Sequence, residues 1–156
     1  MRVVAFDVGA KRTGVAVSDA TATLARPHGC LSGPDRVAEA VALVRQVQDD
    51  DADVAIVVGL PRRLDGSDTD ATPRVRAFAS ALERQLGLVV VFQDERLSSV
   101  EAESRLAVRE RDWRKRKARI DAAAAAVILQ DYLDEAARRR AEPHATDAAI
   151  AADAHD

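Results

Sequence analysis

With Cys30 as its one cysteine, the 156-residue chain can form no internal disulfide and no thiolate zinc cluster. Metal chemistry therefore falls to oxygen and nitrogen ligands, and a reducing cytoplasm is the natural setting. Aromatic residues are scarce, at 3%, and much of the 47% apolar share is alanine rather than large side chains. No apolar stretch is long enough to span a bilayer. Asp7 interrupts the opening apolar run, so a secretory h-region is missing as well. These absences predict a chain that is neither exported nor membrane-inserted, of a length suited to one domain.

What is present is charge, unevenly spread. The formal net charge of −3 argues against a protein that coats nucleic acid indiscriminately. Locally the balance differs. Arg109 to Arg119 reads RERDWRKRKAR and is strongly basic, whereas the segment from Glu142 onward has acids and no Lys or Arg.

The apolar run Val3 to Phe6 predicts a buried strand, and the alternating Thr13 to Ser18 a second strand that returns antiparallel to it after the turn at Ala10-Lys11-Arg12. A third short strand is weakly marked near Leu24 to Leu31. Val37, Ala40, Val41, Val44 and Val47 lie on a helical stripe capped by Asp35. A buried strand over Val54 to Val58 follows, closed by Gly59-Leu60-Pro61, and then a mobile loop from Arg62 to Thr72. Val75, Phe78, Ala79, Leu82 and Leu86 define a second helix, and Leu88 to Phe92 a further buried strand running into Asp94-Glu95-Arg96. Ser98 and Glu101 form a capping-box signature for a helix carrying Ala102, Leu106 and Ala107 inward. The basic stretch then reads as a loop, with Asp121 opening a long alanine-rich helix. Together these elements predict an α/β domain over residues 1–140, with a mixed sheet, an antiparallel N-terminal hairpin and helices on its faces. Residues 141–156 lose periodicity and are expected to be disordered.

Three acids fall where solvated acids are unusual: Asp7 at the end of the first strand, Glu95 at the end of a later one, and Asp121 on the helical face of Ala125, Ile128 and Tyr132. Half-buried carboxylates are costly unless paired or metal-bound, and several together repel without a cation between them. Mg²⁺ or Mn²⁺ accepts such hard oxygen ligands, and two ions about 4 Å apart can activate water and stabilise the leaving oxygen of a phosphodiester. Singly, each acid has an ordinary reading. Asp7 could shape a turn, Glu95 could pair with Arg96, and Asp121 could complement a helix dipole.

Four segments carry more weight together: DVGAKRTGVAVSD from Asp7 to Asp19, IVVGLP from Ile56 to Pro61, DERLS from Asp94 to Ser98 and KARID from Lys117 to Asp121. In this order they resemble the motif blocks of the YqgF family, the Holliday-junction-resolvase-like proteins also described as pre-16S ribosomal RNA nucleases. The resemblance covers roughly Met1 to Glu135. It implies a ribonuclease H-like fold, a cytoplasmic enzyme, and Asp7, Glu95 and Asp121 as catalytic residues and metal ligands. Thr13 departs from the pattern, which has an aliphatic residue there, and the Arg62 to Thr72 loop is unusually rich in Asp.

The implied activity is metal-dependent endonucleolytic hydrolysis of structured nucleic acid, foremost at the 5′ end of pre-16S rRNA. A branched-DNA resolvase and a non-catalytic nucleic-acid or ribosome-assembly binding module are the alternatives. Phosphate contacts are expected from Lys11, Arg12, Arg114, Lys115, Arg116 and Lys117, which flank the acids. Trp113 suits a partly buried anchor better than a base-stacking platform, and Gly59 either admits a phosphate or merely ends its strand. His28, His144 and His155 receive no role. A nucleotide phosphotransferase, suggested by the Asp-x-Gly turn, lacks the second lobe it would need. Both monomer and homodimer suit this sequence.

Overall fold

The computed structural model describes residues 1–95 and 113–142, with Trp113 and Arg114 entering through their backbone alone. Five strands form one mixed sheet: β1 (Arg2–Val8), β2 (Thr13–Ser18), β3 (Ala25–Leu31), β4 (Val54–Pro61) and β5 (Val90–Glu95), in the order β3-β2-β1-β4-β5. β2 lies antiparallel between β1 and β3, while β4 runs parallel to β1 and β5 parallel to β4. This is the hairpin-plus-parallel sheet expected of a ribonuclease H-like domain.

Period-two alternation gives the sheet two apolar faces. Val4, Phe6, Ile56 and Val58 pack with Ala40, Val44, Val75 and Leu82, which belong to α1 (Arg36–Asp50) and α2 (Thr72–Leu86). Within that layer Phe6 meets Phe78 edge to face at 5.6 Å, a geometry worth about 0.5–1.5 kcal/mol beyond the area buried. On the other face Val3, Ala5 and Val57 pack with Ala125, Ile128, Leu129 and Leu133 of α3 (Trp113–Ala141). Local chemistry ends the helices, at Asp35 as anticipated. Asp35 accepts from Ala38 N at 3.0 Å to cap α1, and Gly87 closes α2 at φ 67°, a left-handed conformation that costs glycine little.

Three expectations require correction. β5 is an edge strand, not a doubly buried one, with Val91 and Phe92 each 40% exposed, because among the described residues it pairs only through β4. Asp121 does not open its helix. It lies more than two turns inside α3, and residues 113–119 of the basic stretch are helical, because Arg, Lys and Ala are good helix formers whose charge is no obstacle to helix. The Asp121 carboxylate is therefore not a charge placed at a helix N-terminus. Finally, Gly59 lies within β4 and does not terminate it. The Ser98–Glu101 helix signature and residues 143–156 lie outside the described residues.

Candidate active site

Asp7 follows Val3 and Ala5 on the face that α3 covers. Its partner on β2 is Gly14, and on the β4 side Gly59 follows Val58, the partner of Phe6. A glycine therefore stands on either side of the acid. A Cβ added at Gly14 would lie 1.9 Å from the backbone carbonyl oxygen of Asp121, so the missing side chain is what lets α3 settle onto β2. A Cβ at Gly59 would lie 2.6 Å from Ile128 Cδ1 and 2.9 Å from Glu95 Oε2. Glu95, on the same face of β5 as Gln93, whose amide reaches Glu135 of α3 at 3.4 Å, thus folds its carboxyl over Gly59.

The acids respond to this crowding. Burial pushes the Glu95 carboxyl up to about 9, reinforced by the charge of Asp7 and by the hydrogen bond Glu95 donates to it. Burial also raises Asp7, the Glu95 hydrogen bond opposes that shift, and the charge of Asp121 adds to it. Two carboxyl groups therefore hold one proton between them at neutral pH. Asp121 is differently engaged: Arg12 Nε donates to its Oδ2 at 2.7 Å, and the Cys30 thiol approaches the same oxygen at 3.7 Å. Burial, then the neighbouring Asp121, push the Cys30 thiol up to about 11, so it stays protonated and poorly nucleophilic.

The turn that carries Lys11 and Arg12 is fastened from α1. Arg36 donates from Nη1 to Gly9 O and, at 3.3 Å, to Thr13 Oγ1, and from Nη2 to Ala10 O at 3.0 Å. Gly9 N donates to Arg12 O at 2.8 Å. This accounts for Thr13, a fully buried polar residue where the family pattern has an aliphatic one: its hydroxyl meets a guanidinium.

Of the sequence-predicted residues, the fold brings together Asp7, Glu95, Asp121 and Arg12, with Lys11 exposed in the adjoining turn. Lys117 precedes Asp121 by one helical turn, and Lys115 and Arg116 lie just before it, with both lysines exposed and Arg116 half-buried. The side chains of Arg114 and Trp113, and Arg96, lie outside the described residues. Asp19, which ends the first motif block, shapes a loop instead, accepting from Thr23 N at 2.8 Å and Leu24 N at 3.2 Å. Gly14, Arg36 and Thr13 were not singled out for the site; Thr13 and Gly14 fall within the first motif, whereas no motif contains Arg36. A groove of about 610 Å³ lined by Arg2, Ser18, Asp19, Arg26, His28 and Asp50 lies at the opposite end of β1 from Asp7 and has mixed charge.

Among the described residues no three acidic, histidine or cysteine side chains already form a metal cage. Asp121 is instead turned to Arg12, 2.7 Å away. The donor set nevertheless fits a hard divalent cation. Two buried carboxyls forced to share a proton, with a third acid near enough to perturb one of them, form a site where a dication can replace the proton and relieve the repulsion.

Residues 1–135 match the model of a family described as "RuvX: Holliday junction resolvase". A protein of Maridesulfovibrio salexigens named "Putative pre-16S rRNA nuclease" is 40% identical over 136 residues, which is 87% of this chain and 100% of that protein. Proteins of the same name from Anaeromyxobacter dehalogenans and Paracoccus denitrificans are 42% and 43% identical over 137 and 132 residues, covering 88% and 85% of this chain and 99% and 83% of theirs. Among solved structures, Thermus thermophilus RuvC in complex with a Holliday junction substrate aligns with a TM-score of 0.48 at 18% identity, over 85% of this chain and 94% of that one. By the extent of the family match and the identity to these full-length relatives, the chain belongs to the RuvX family.

Proposed function

We propose that this chain is a divalent-metal-dependent endonuclease that hydrolyses phosphodiester bonds in structured nucleic acid, with the 5′ end of precursor 16S rRNA as its substrate and Mg²⁺ or Mn²⁺ as its ion. The observation that carries this reading is the pair of buried, mutually hydrogen-bonded carboxyls Asp7 and Glu95 beside Asp121. A structural ion pair would have been satisfied by a basic partner, whereas these two acids face each other.

Asp7, Glu95 and Asp121 would hold the ions. Bound there, divalent cations supply an activated water and neutralise charge on the leaving oxygen. Glu95 would hold a cation only after giving up its proton, and Asp7, with a glycine on either neighbouring strand, would be the ligand on the central strand of the sheet. Lys11, Arg12, Lys115, Arg116 and Lys117 hold the phosphate backbone, which supplies affinity without sequence readout. The names borne by the relatives support rRNA as substrate, and a cytoplasmic setting follows from that substrate. Among the described residues no helix is long and apolar enough to cross a membrane.

The test is cleavage of a precursor 16S leader RNA and of a four-way DNA junction by the purified protein in Mg²⁺ or Mn²⁺. The RNA should be cut at a discrete position, and Asp7→Asn should lower the rate roughly a hundredfold or more, the scale of losing one charge-stabilising group. Cutting of the junction alone would reassign the substrate to branched DNA. Salt-dependent binding with no cleavage of either would make the protein a binding module.

A further inference from the structure

Arg12 stands in an unusual place for a substrate-binding residue: its guanidinium lies on Asp121. The two residues are 109 positions apart in sequence, and their side chains are only 33% and 24% exposed. We propose that Arg12 is a built-in counter-ion that competes with the divalent cation for Asp121, so that loading the site frees its guanidinium for substrate phosphate. The proposal rests on the metal-dependent reading above and adds to it a specific obstacle to loading.

The geometry supports competition rather than co-occupancy. Asp121 Oδ2 receives Arg12 Nε at 2.7 Å and the Cys30 thiol at 3.7 Å, which leaves that oxygen poorly disposed to an ion. A cation on the Asp121 carboxylate would also lie close to the guanidinium and be repelled by it. The Arg12 side chain can leave without unravelling its turn, because Arg36 holds the carbonyls of Gly9 and Ala10 and Gly9 N holds Arg12 O through the backbone. A freed guanidinium offers a planar donor fork suited to phosphate, and exposed Lys11 adjoins it. By linkage, whatever draws Arg12 away from Asp121 must tighten metal binding by the same factor as metal favours its release.

The experiment is Mn²⁺ binding alone, read from the electron paramagnetic resonance signal of the free ion, with the full chain and no nucleic acid. Arg12→Gln should bind Mn²⁺ about tenfold more tightly than the unmodified chain, equivalent to about 1.4 kcal/mol. Arg12→Lys, which keeps the charge on a more flexible stem, should fall between. With Asp121→Asn in both proteins, the effect of Arg12→Gln should shrink to about twofold. A merely structural role for Arg12 would weaken binding on substitution instead. Equal or weaker binding by Arg12→Gln, with binding abolished by Asp7→Asn, would overturn the competition and leave the metal-dependent nuclease standing. An undiminished Arg12 effect in the Asp121→Asn background would likewise overturn it. Failure of every protein to bind Mn²⁺ would remove both readings together.

Discussion

Glu95 donates a hydrogen bond to the carboxylate of Asp7, its own carboxyl lying over Gly59, where an added Cβ would come within 2.9 Å of Glu95 Oε2.

Stability without metal should therefore fall as pH rises. In the folded chain the Glu95 carboxyl is raised from 4.5 to about 9, so between those values the folded state binds the proton that the unfolded chain has released. That contribution is fully present below the unfolded value and is lost as pH climbs through the folded one. Melting temperatures in chelator should decline from pH 5 to pH 9 more steeply for the unmodified chain than for Glu95→Gln, which keeps a hydrogen-bond donor and carries no charge. Parallel slopes would disprove the shared proton.

Metal uptake should release that proton. At pH 7.5, titration with Mn²⁺ in buffers of different ionisation enthalpy should report close to one proton released per chain, and Glu95→Gln should release fewer. A release count indifferent to this substitution would place the proton elsewhere.

The two glycines beside Asp7 should differ in their tolerance of alanine. Gly59→Ala presses on a flexible Ile128 methyl and on the Glu95 carboxyl, so a loss of about 1–3 kcal/mol is expected, with weakened Mn²⁺ binding. Gly14→Ala meets the backbone of α3 at Asp121, which cannot yield so easily, and should cost more than Gly59→Ala. Chemical denaturation of both variants settles the order, and a milder Gly14→Ala would contradict the packing of α3 on β2.

Arg36 should matter to the site without touching it. Arg36→Met leaves the Gly9 and Ala10 carbonyls and the buried Thr13 hydroxyl without their donor, at a cost of about 1.5–3 kcal/mol, the range for hydrogen bonds to a charged group. Thr13→Val removes one neutral acceptor and should cost less. Both are read by urea denaturation, and a fully stable Arg36→Met would show that the turn holds itself.

Basic residues on α3 should govern salt dependence. Replacing Lys115, Arg116 and Lys117 by Gln should flatten the slope of log affinity against log salt by about 0.7–0.9 for each lost phosphate contact, with little change in melting temperature. An unchanged slope would place the nucleic acid on another surface.

Much of the architecture was legible because it is local. Buried runs such as Val54 to Val58 reveal themselves by composition, α1 by its stripe and Asp35, and α2 by its stripe. The four motif blocks identified the family without any coordinates and pointed to the three acids. The errors arose where local signals were ambiguous or opposed. A run of Arg and Lys was read as a loop although each residue favours helix, and an apolar segment could not declare whether it lay at the sheet edge.

By itself, then, the sequence determined the α/β class, the hairpin and the family, and it singled out Asp7, Glu95 and Asp121 as candidates. Tertiary structure alone decided how those acids are held: Glu95 protonated against Asp7, Asp121 engaged by Arg12, Gly14 and Gly59 opening the space between them, and Arg36 fastening the turn. The physical reason is range. Helix and strand signals act within a few residues, whereas proton sharing, close backbone approach and an ion pair across 109 positions depend on distances that exist only once the sheet and α3 have packed.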